Sequence, residues 1–275
     1  MDIIYSEGAV HVGGLGDFSL KDTLDCGQCF RWSESGGGFD GIVEGRFCHA
    51  EQRGDTLLLS TTREDFDALW RDYFDLDRDY AALRREFSTD ETLRAALAFA
   101  PGIRVLRQRP WETLCSYIIS QNNNIKRIKG IIARMCESFG EPLCDGRGYA
   151  FPSAGRLATL DEQALAPLRC GFRAKYILDA AEKVASGEID LAALRDMELD
   201  EARRTLMSIR GVGPKVAECT LLYGFGRTEC FPIDVWIRRA MSELFPAGLP
   251  ECAVREAGIA QQYIFHYMRM RAAGD

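Results

Sequence analysis

Long apolar runs are missing from this 275-residue chain, which has no stretch of about 18 or more consecutive apolar residues. A helix that spans a membrane needs about 20 such residues, so we expect no membrane span. The first residues, MDIIYSEGAVHVGG, lack the basic segment followed by an apolar segment that marks a signal peptide. They are also neither Arg-rich nor Ser-rich, as a transit peptide would be. These absences predict an intracellular protein.

Histidines are scarce as well: the three present, His11, His49 and His266, are too far apart for a local zinc motif. The ten cysteines are scattered, which fits reduced thiols better than a secreted disulfide scaffold. Cys26 and Cys29 in CGQC have the spacing of a metal or redox pair. A zinc site would want a second such pair, and a thioredoxin-like motif would lie in a βαβ pattern. Neither is present, so we expect no metal or organic cofactor.

Charge is distributed unevenly along the chain. The net charge is −7, which consists of −10 over residues 1–99 and +3 over the remainder. Residues 104–129 hold one acidic residue, Glu112, against six basic ones: Arg104, Arg107, Arg109, Lys126, Arg127 and Lys129. This local stripe predicts a confined contact with a polyanion rather than a generally basic protein.

The periodicity of apolar residues changes near residue 63. Before that point, β-like runs alternate with Gly-rich and Gly-Asp turns, which predicts strands over residues 1–60. After it, apolar residues recur three and four apart, as in helices. Beyond the helices that begin at PWETLC and NIKRIK, we expect helices at 156–168, 173–186, 199–209, 214–224, 234–244 and 252–271. The fold class is α+β, with a β-rich lobe with flanking helices at 1–99 and a helical region at 100–275.

A tight helical hairpin is predicted at residues 209–217, in IRGVGPKVA. Gly211 and Gly213 permit the positive φ of a very tight turn, and Pro214 fits the first position of the next helix. Amide groups at such a turn point outward and can bind a DNA phosphate without a basic side chain. The alternative is an ordinary helix–turn–helix connection that uses glycine as a C-cap.

The hairpin sequence resembles the helix–hairpin–helix signature of the base-excision DNA glycosylases. FPIDVWIRR, about twenty residues later, supplies the aspartate of that superfamily's Gly-Pro-Asp motif. CGQCFRW, SQNNNIKRI and GFRAKY resemble the 8-oxoguanine DNA glycosylase/lyase branch in order and spacing. The resemblance implies an N-terminal antiparallel β lobe of the TBP-like type and a two-lobed, all-helical body. It also implies duplex DNA containing oxidised guanine as the partner.

Lys215 and Asp234 are the catalytic residues that the resemblance implies. Lys215 lies where this branch carries its nucleophile, and an amine attacks only when neutral. A helix N-terminus and burial both favour that form. The alternative is a solvated lysine paired with Glu218. Asp234 is an N-cap by its position. By resemblance, its carboxylate also stabilises the positive charge that builds at C1′ as the base leaves.

A base pocket follows from the same resemblance, because a glycosylase extrudes its target nucleotide. Gly27 aligns with a glycine whose carbonyl accepts a hydrogen bond from N7–H, a proton that only the oxidised base carries. Gln261 and Phe265, one helical turn apart, would bond the Watson–Crick edge and stack on the base. Cys219 is one turn beyond Lys215 and would meet the base too. The alternative for Phe265 and Cys219 is core packing.

Extrusion leaves a gap opposite an orphaned cytosine. By resemblance Asn122 fills this gap, Phe172 wedges into the stack, and Arg127 and Arg173 donate to the cytosine. Phe172 and Arg173 follow Gly171, which predicts an exposed tip. Trp236 departs from the family, since many relatives carry a histidine there near a phosphate. Phe172 replaces a common tyrosine, and the four closely spaced cysteines of the iron–sulfur glycosylases are missing.

The sequence therefore predicts an 8-oxoguanine DNA glycosylase with an associated lyase activity, acting as a monomer in the cytoplasm or nucleoid of a prokaryote. Two alternatives stay open. One is a glycosylase of the same fold for alkylated bases, a class that generally lacks the hairpin lysine and uses water. The other is a non-catalytic helix–hairpin–helix module that binds DNA.

Overall fold

The computed structural model describes residues 1–274, and the chain divides into two compact units. The first unit comprises Met1–Asp40, Cys48–Arg107 and Gly226–Asp275. The second comprises Gly41–Phe47 and Gln108–Phe225. The chain thus returns to the first unit after completing the second. The boundary predicted at residue 99/100 stays a prediction.

Six strands form one sheet in the order β1-β2-β6-β5-β4-β3. The strands are β1 (Asp2–Ser6), β2 (Ala9–Gly13), β3 (Trp32–Ser35), β4 (Gly38–Val43), β5 (Arg46–Arg53) and β6 (Thr56–Leu59). Antiparallel pairing sets Val10 opposite Leu59 and Val12 opposite Leu57, and all four side chains are buried. Alternate residues of a strand point to the same face, so these residues form the core side of the sheet. The α+β fold class and the strand-rich N-terminus are confirmed.

One helix interrupts the region where the sequence predicts only strands. This helix, α1 (Leu20–Asp25), begins where the Ser19 hydroxyl accepts a hydrogen bond from the amide of Asp22. It ends at Cys26, and Gly27 follows with a φ of 91°. With six residues, α1 is too short to show a helical period in a sequence that is rich in turns.

An aromatic cluster is buried in the first unit, which also contains the remaining helices of this unit. They are α2 (Arg63–Asp65), a π-helical turn (Phe66–Trp70), α3 (Arg71–Tyr73), α4 (Tyr80–Phe87) and α5 (Glu91–Phe99), and after the second unit α12 (Val235–Glu243), α13 (Glu251–Val254) and α14 (Ala257–Gly274). Trp32 lies 6.0 Å from Trp70 and 5.7 Å from Phe74, and its indole N–H donates to the Tyr73 hydroxyl at 2.8 Å. Aromatic pairs at such distances add stabilisation beyond the area they bury.

The second unit is built on helices. They are α6 (Pro110–Ser120), α7 (Ile125–Phe139), α8 (Ala154–Ala158), α9 (Ala174–Ala185), α10 (Leu199–Met207) and α11 (Pro214–Phe225), with 3-10 turns at Ala166–Leu168, Gly171–Arg173 and Ala193–Arg195. A Cβ added to Gly224 of α11 would lie 3.1 Å from the Cα of Pro110, so glycine permits a close approach between α11 and α6. At the other end of the same two helices, Lys215 of α11 meets Ser120 of α6.

Two predicted helices are wrong in their extent. The helix expected at 156–168 is α8 followed by turns, because the Asp161 carboxylate accepts from the amide of Ala164 and Pro167 has no amide to donate. The helix expected at 252–271 is divided into α13 and α14. The amide of Gly258 donates to the carbonyl of Thr228 at 2.8 Å instead of continuing the ladder of α13.

Candidate active site

The predicted hairpin joins α10 to α11 through residues 208–213. Ile209 and Val212 are buried, and the Val212 amide donates to the Ile209 carbonyl at 3.0 Å. Gly211 is exposed with a φ of 78°, and a Cβ at this position would overlap the ring of Tyr176. Glycine is therefore required at position 211 by both conformation and space.

Gly213 corrects the sequence interpretation, because its φ is not positive. A Cβ added there would meet no atom within 4 Å. Within residues 1–274, the amides of Gly211 and Gly213 donate to no group of the chain. The fold itself does not require glycine at position 213, and both amides are available to a group from outside.

Lys215 lies in the first turn of α11 and is half-buried. Its Nζ donates to the Ser120 hydroxyl at 3.2 Å and lies 4.8 Å from the ring centroid of Tyr117. The Tyr117 ring stacks on Tyr223 at 5.4 Å with an interplanar angle of 9°. The amine is therefore held between a hydroxyl and an aromatic face.

Lys215 does not form the ion pair with Glu218 that their spacing in the sequence allows. The Glu218 carboxylate accepts from Nε of Arg203 on α10 instead. Cys219, one turn along α11 from Lys215, is buried. That burial fits core packing and a contact with a base equally, so its place in the pocket stays a prediction.

The three asparagines after α6 form the predicted turn and play different parts in it. Asn124 is the N-cap of α7, since its side chain accepts from the amide of Arg127 at 3.0 Å. Asn123 donates to the Ile119 carbonyl at 3.0 Å. Asn122 is exposed and adopts a left-handed conformation with a φ of 46°. The turn thus presents the Asn122 side chain to solvent.

Arg173 is buried, which contradicts the exposed tip predicted for it. Its Nε donates to the carbonyl of Gln121 at 2.9 Å, Nη2 to that of Asn122 at 2.9 Å, and Nη1 to that of Cys170 at 3.1 Å. Burial, and to a lesser degree the charge of Arg127, lower the pKa of Arg173. A contact between Arg173 and a base therefore requires the guanidinium to exchange these partners.

The neighbours of Arg173 are more accessible. Phe172 is 49% exposed, as the glycine before it predicts, and the Arg173 guanidinium lies 4.4 Å from its ring centroid. Arg127 is exposed and makes one long hydrogen bond, 3.4 Å, to the Arg169 carbonyl. These two side chains and Asn122 are therefore accessible in the second unit.

The first unit holds the other candidate residues. Asp234 is half-buried, and its Oδ1 accepts from the amide of Ile237 at 2.8 Å, so the N-cap is confirmed. Gln261 on α14 is buried and donates to the carbonyl of Pro232 at 3.3 Å, which ties α14 to the segment before Asp234. Phe265 is half-buried one turn further along α14.

Two further predicted positions belong to the first unit. Gly27 is half-buried just after α1. Trp236 is half-buried in the first turn of α12. Its relation to a phosphate stays untested.

The basic stripe predicted at 104–129 is wrong for Arg104, Arg107 and Arg109. Arg104 is buried and donates to the Asp75 carbonyl at 2.7 Å. Arg107 pairs with the Asp75 carboxylate at 3.0 Å, and Arg109 pairs with Glu44 at 2.9 Å. Carboxylates from the acidic front half thus pair with two charges that appear unopposed in the sequence, and burial removes the third from the surface. The exposed basic residues of this stretch lie at the start of α7.

The thiols of the CGQC segment are shielded from solvent. Cys26 and Cys29 are both buried, and burial raises the pKa of the Cys26 thiol to about 12. The thiol therefore stays protonated and unreactive near neutral pH. Over residues 1–274, no group of three or more His, Cys, Asp or Glu side chains is arranged to hold a metal ion. In that same part of the chain, no helix has the length and apolar character to cross a membrane.

Comparison with known proteins identifies the family of this chain. The family model described as "8-oxoguanine DNA glycosylase, N-terminal domain" matches residues 14–114, and that of the "HhH-GPD superfamily base excision DNA repair protein" matches residues 115–251. A probable N-glycosylase/DNA lyase of Methanothermobacter thermautotrophicus is 31% identical over 93% of this chain and 95% of its own. The chain belongs to the 8-oxoguanine DNA glycosylase/lyase family.

Solved structures of this family have the same fold. The 8-oxoguanine glycosylase/lyase of Clostridium acetobutylicum, solved with double-stranded DNA containing cytosine opposite 8-oxoguanine, superposes with a TM-score of 0.91 at 34% identity over 99% of both chains. MBOgg1, solved with a low-affinity DNA ligand, gives a TM-score of 0.93 at 44% identity over 98% of this chain and 99% of its own. The predicted family and architecture are confirmed.

Sequence reasoning missed the immediate neighbours of Lys215. Ser120 and Tyr117 on α6 contact Lys215 although Ser120 is 95 residues away in the chain. No local pattern marks these residues, since Ser120 reads as the end of a helix and Tyr117 as part of its apolar face. Only the packing of α6 against α11 reveals them.

Proposed function

We propose that this chain excises 8-oxoguanine paired with cytosine from duplex DNA and then nicks the strand at the resulting site. The neutral amine of Lys215 attacks C1′ and forms an N–C bond as the glycosidic bond breaks, and the base leaves with a proton. The sugar ring opens and the adduct becomes a Schiff base. Loss of a C2′ proton then expels the 3′ phosphate by β-elimination.

The observation that carries this proposal is the placement of Lys215. Lys215 is half-buried in the first turn of α11, just after the hairpin glycines, and Ser120 and Tyr117 hold its amine from α6. Lysine needs a defined position to act as a nucleophile, because a misplacement of about 1 Å can cost about 100-fold in rate. A purely DNA-binding hairpin would have no use for a lysine fixed in this way.

The remaining site residues are assigned parts in the same reaction. Asp234 stabilises the positive charge at C1′ while one of its oxygens caps α12. Gly27, Gln261, Phe265 and Cys219 hold the extruded base, while Asn122, Phe172, Arg127 and Arg173 act at the gap and the orphaned cytosine. We further propose that the protein acts as a monomer inside the cell.

Borohydride trapping tests the function directly. Sodium borohydride reduces a Schiff base between the protein and lesion-containing DNA to a stable covalent adduct. We expect an adduct with a duplex that contains 8-oxoguanine opposite cytosine and none with the undamaged duplex. A glycosylase that uses water would release a base without an adduct, and a binding module would give neither product.

Replacing each hairpin glycine with alanine should affect a different property of the protein. Gly213→Ala should keep the stability of the wild type, because its added Cβ meets no atom. It should nevertheless weaken binding to duplex DNA about five- to tenfold, because the methyl group occupies the place of a phosphate. Gly211→Ala should unfold more easily by about 1–3 kcal/mol, since its Cβ overlaps Tyr176.

Thermal unfolding and DNA titration at fixed salt would measure both effects. Gly155→Ala is the matched control, because a Cβ there also meets nothing within 4 Å. If Gly213→Ala bound DNA as tightly as Gly155→Ala does, the amide of Gly213 would not be a phosphate contact.

We expect Arg173→Ala to change the preference of the enzyme for the base opposite the lesion. Arg can only donate hydrogen bonds, which suits the acceptor edge of cytosine. Its removal should slow excision opposite cytosine and flatten the preference over other bases by about 1–3 kcal/mol. Single-turnover excision opposite each of the four bases measures this preference.

Arg173 also holds the turn that presents Asn122, so part of the loss in rate should be common to all four opposite bases. The melting temperature should fall as well, because three carbonyls lose their donor. If Arg173→Ala kept the wild-type order of excision rates opposite the four bases, Arg173 would have only a structural role and would not recognise cytosine.

A further inference from the structure

We propose that Gln28 is a positioning residue that fixes the carbonyl of Gly27 and thereby sets the discrimination between 8-oxoguanine and guanine. This inference rests on the proposed function, in which the Gly27 carbonyl accepts from N7–H of the oxidised base. It adds a second requirement, that the peptide between Gly27 and Gln28 be held in one orientation.

The need for such a restraint follows from peptide geometry. The Gly27 carbonyl and the Gln28 amide belong to one planar unit and point in opposite directions. Rotation of that unit by half a turn would replace an acceptor with a donor. A donor would favour the bare N7 of guanine, so the flip would reverse the selectivity. Glycine, with a φ of 91° at position 27, gives little resistance to such a rotation.

The side chain of Gln28 supplies the restraint. It is 1% exposed, and its Nε2 donates to the carbonyls of Thr23 at 2.8 Å and Arg104 at 2.7 Å. Its Oε1 accepts from the amide of Leu106 at 2.9 Å. These bonds join the end of α1 to the extended segment before α6. While these bonds hold the Cα and side chain of Gln28 in place, half a turn of the 27–28 peptide would have to drive φ of Gln28, which is not positive here, into the region that a residue with a Cβ avoids. Without the three bonds, the whole residue could move with the peptide.

The other side of Gly27 is held by α14. Arg269 donates to the carbonyl of Asp25 at 2.9 Å, and the buried Gln262 donates to that of Cys26 at 3.5 Å. Carbonyls 25 and 26 are therefore fixed before the glycine, while Gln28 is fixed after it. The flexible residue lies between two anchored ones, so its carbonyl has one direction.

Gln28→Met removes the three bonds and keeps the length of the side chain. We expect the ratio of 8-oxoguanine excision to abasic-site cleavage to fall about 10- to 100-fold, because an abasic site presents no base to the carbonyl. We also expect the ratio of 8-oxoguanine to guanine excision to fall. Single-turnover rates on three duplexes of one sequence, with 8-oxoguanine, guanine or an abasic site opposite cytosine, measure both ratios.

Gln52→Met is the matched control in the same unit. Gln52 likewise makes three bonds to the backbone, accepting from Leu20 at 2.7 Å and donating to the carbonyls of Phe18 at 2.6 Å and Gly54 at 2.9 Å. It should lose stability and keep both wild-type ratios. Gln262→Met loosens only the Cys26 side and provides a milder variant if Gln28→Met does not fold.

Two results would overturn the inference. One is that Gln28→Met and Gln262→Met both keep the two ratios of the wild type. The other is the same change of ratios in Gln52→Met, which would indicate general loss of stability. Failure of the proposed function is distinguishable, because the wild-type protein itself would then excise no 8-oxoguanine.

Discussion

Lys215→Gln is expected to abolish the borohydride-trapped adduct and to slow base excision on the order of 10³-fold or more. Removal of a covalent nucleophile elsewhere costs up to about 10⁶-fold. The variant should fold, since a glutamine of similar length can still hydrogen-bond the Ser120 hydroxyl and lie against Tyr117. It should also bind lesion DNA, because the amides of the hairpin are unchanged. Trapping, single-turnover excision and a DNA titration on the same preparation test these three statements.

A second lysine serves as the control for this result. Lys183 is also half-buried in the second unit, where its Nζ donates to the carbonyl of Ser208 at 2.6 Å. Lys183→Gln removes a lysine and a hydrogen bond near the hairpin but should keep the trapped adduct. An adduct at wild-type yield in Lys215→Gln would mean that another amine attacks C1′.

Asp234→Asn is expected to reduce base excision about 10²–10³-fold while the melting temperature stays near that of the wild type. Asn and Asp are equally good N-caps, so the hydrogen bond from the Ile237 amide is kept. The negative charge is lost, and with it the stabilisation of the cation that develops at C1′. The magnitude follows by analogy with the loss of one oxyanion-hole donor, about 2.7–4 kcal/mol.

Asp234→Ala removes both the cap and the charge, so it should lower the rate equally and stability by about 1 kcal/mol. Asp90→Ala is the matched control, because Asp90 caps α5 in the same unit by accepting from the Leu93 amide at 2.8 Å. It should lose the same stability and keep its excision rate.

The charge on Asp234 predicts one more effect. A carboxylate close to DNA phosphates is repelled by them, so Asp234→Asn should bind lesion DNA slightly tighter than the wild type while cutting it far more slowly. An Asn variant that excised 8-oxoguanine at nearly the wild-type rate would leave Asp234 as a cap alone.

The elements that local chemistry specifies are those that the sequence predicts well. Pro110 begins α6 at a position where its missing amide costs nothing, and α7 stops at Gly140 as expected. The predictions fail where a local hydrogen bond competes with the helix. Asp161 accepts from the Ala164 amide and ends a run whose apolar spacing still looks helical. Periodicity records which side of an element is apolar, and it does not record such a competing bond.

The family and the fold class follow from the sequence alone, because they depend on residue types at fixed short spacings, and the same motifs yield the prediction that Lys215 and Asp234 are catalytic. Tertiary structure decided which charges are available. Glu218 forms its ion pair with Arg203 instead of Lys215, and Arg173 donates its hydrogen bonds to backbone carbonyls such as that of Asn122. Each of these contacts joins segments from about fifteen to more than fifty residues apart in the chain. Hydrogen bonds and ion pairs depend on distances of about 3 Å between groups, and only the packing of helices sets those distances.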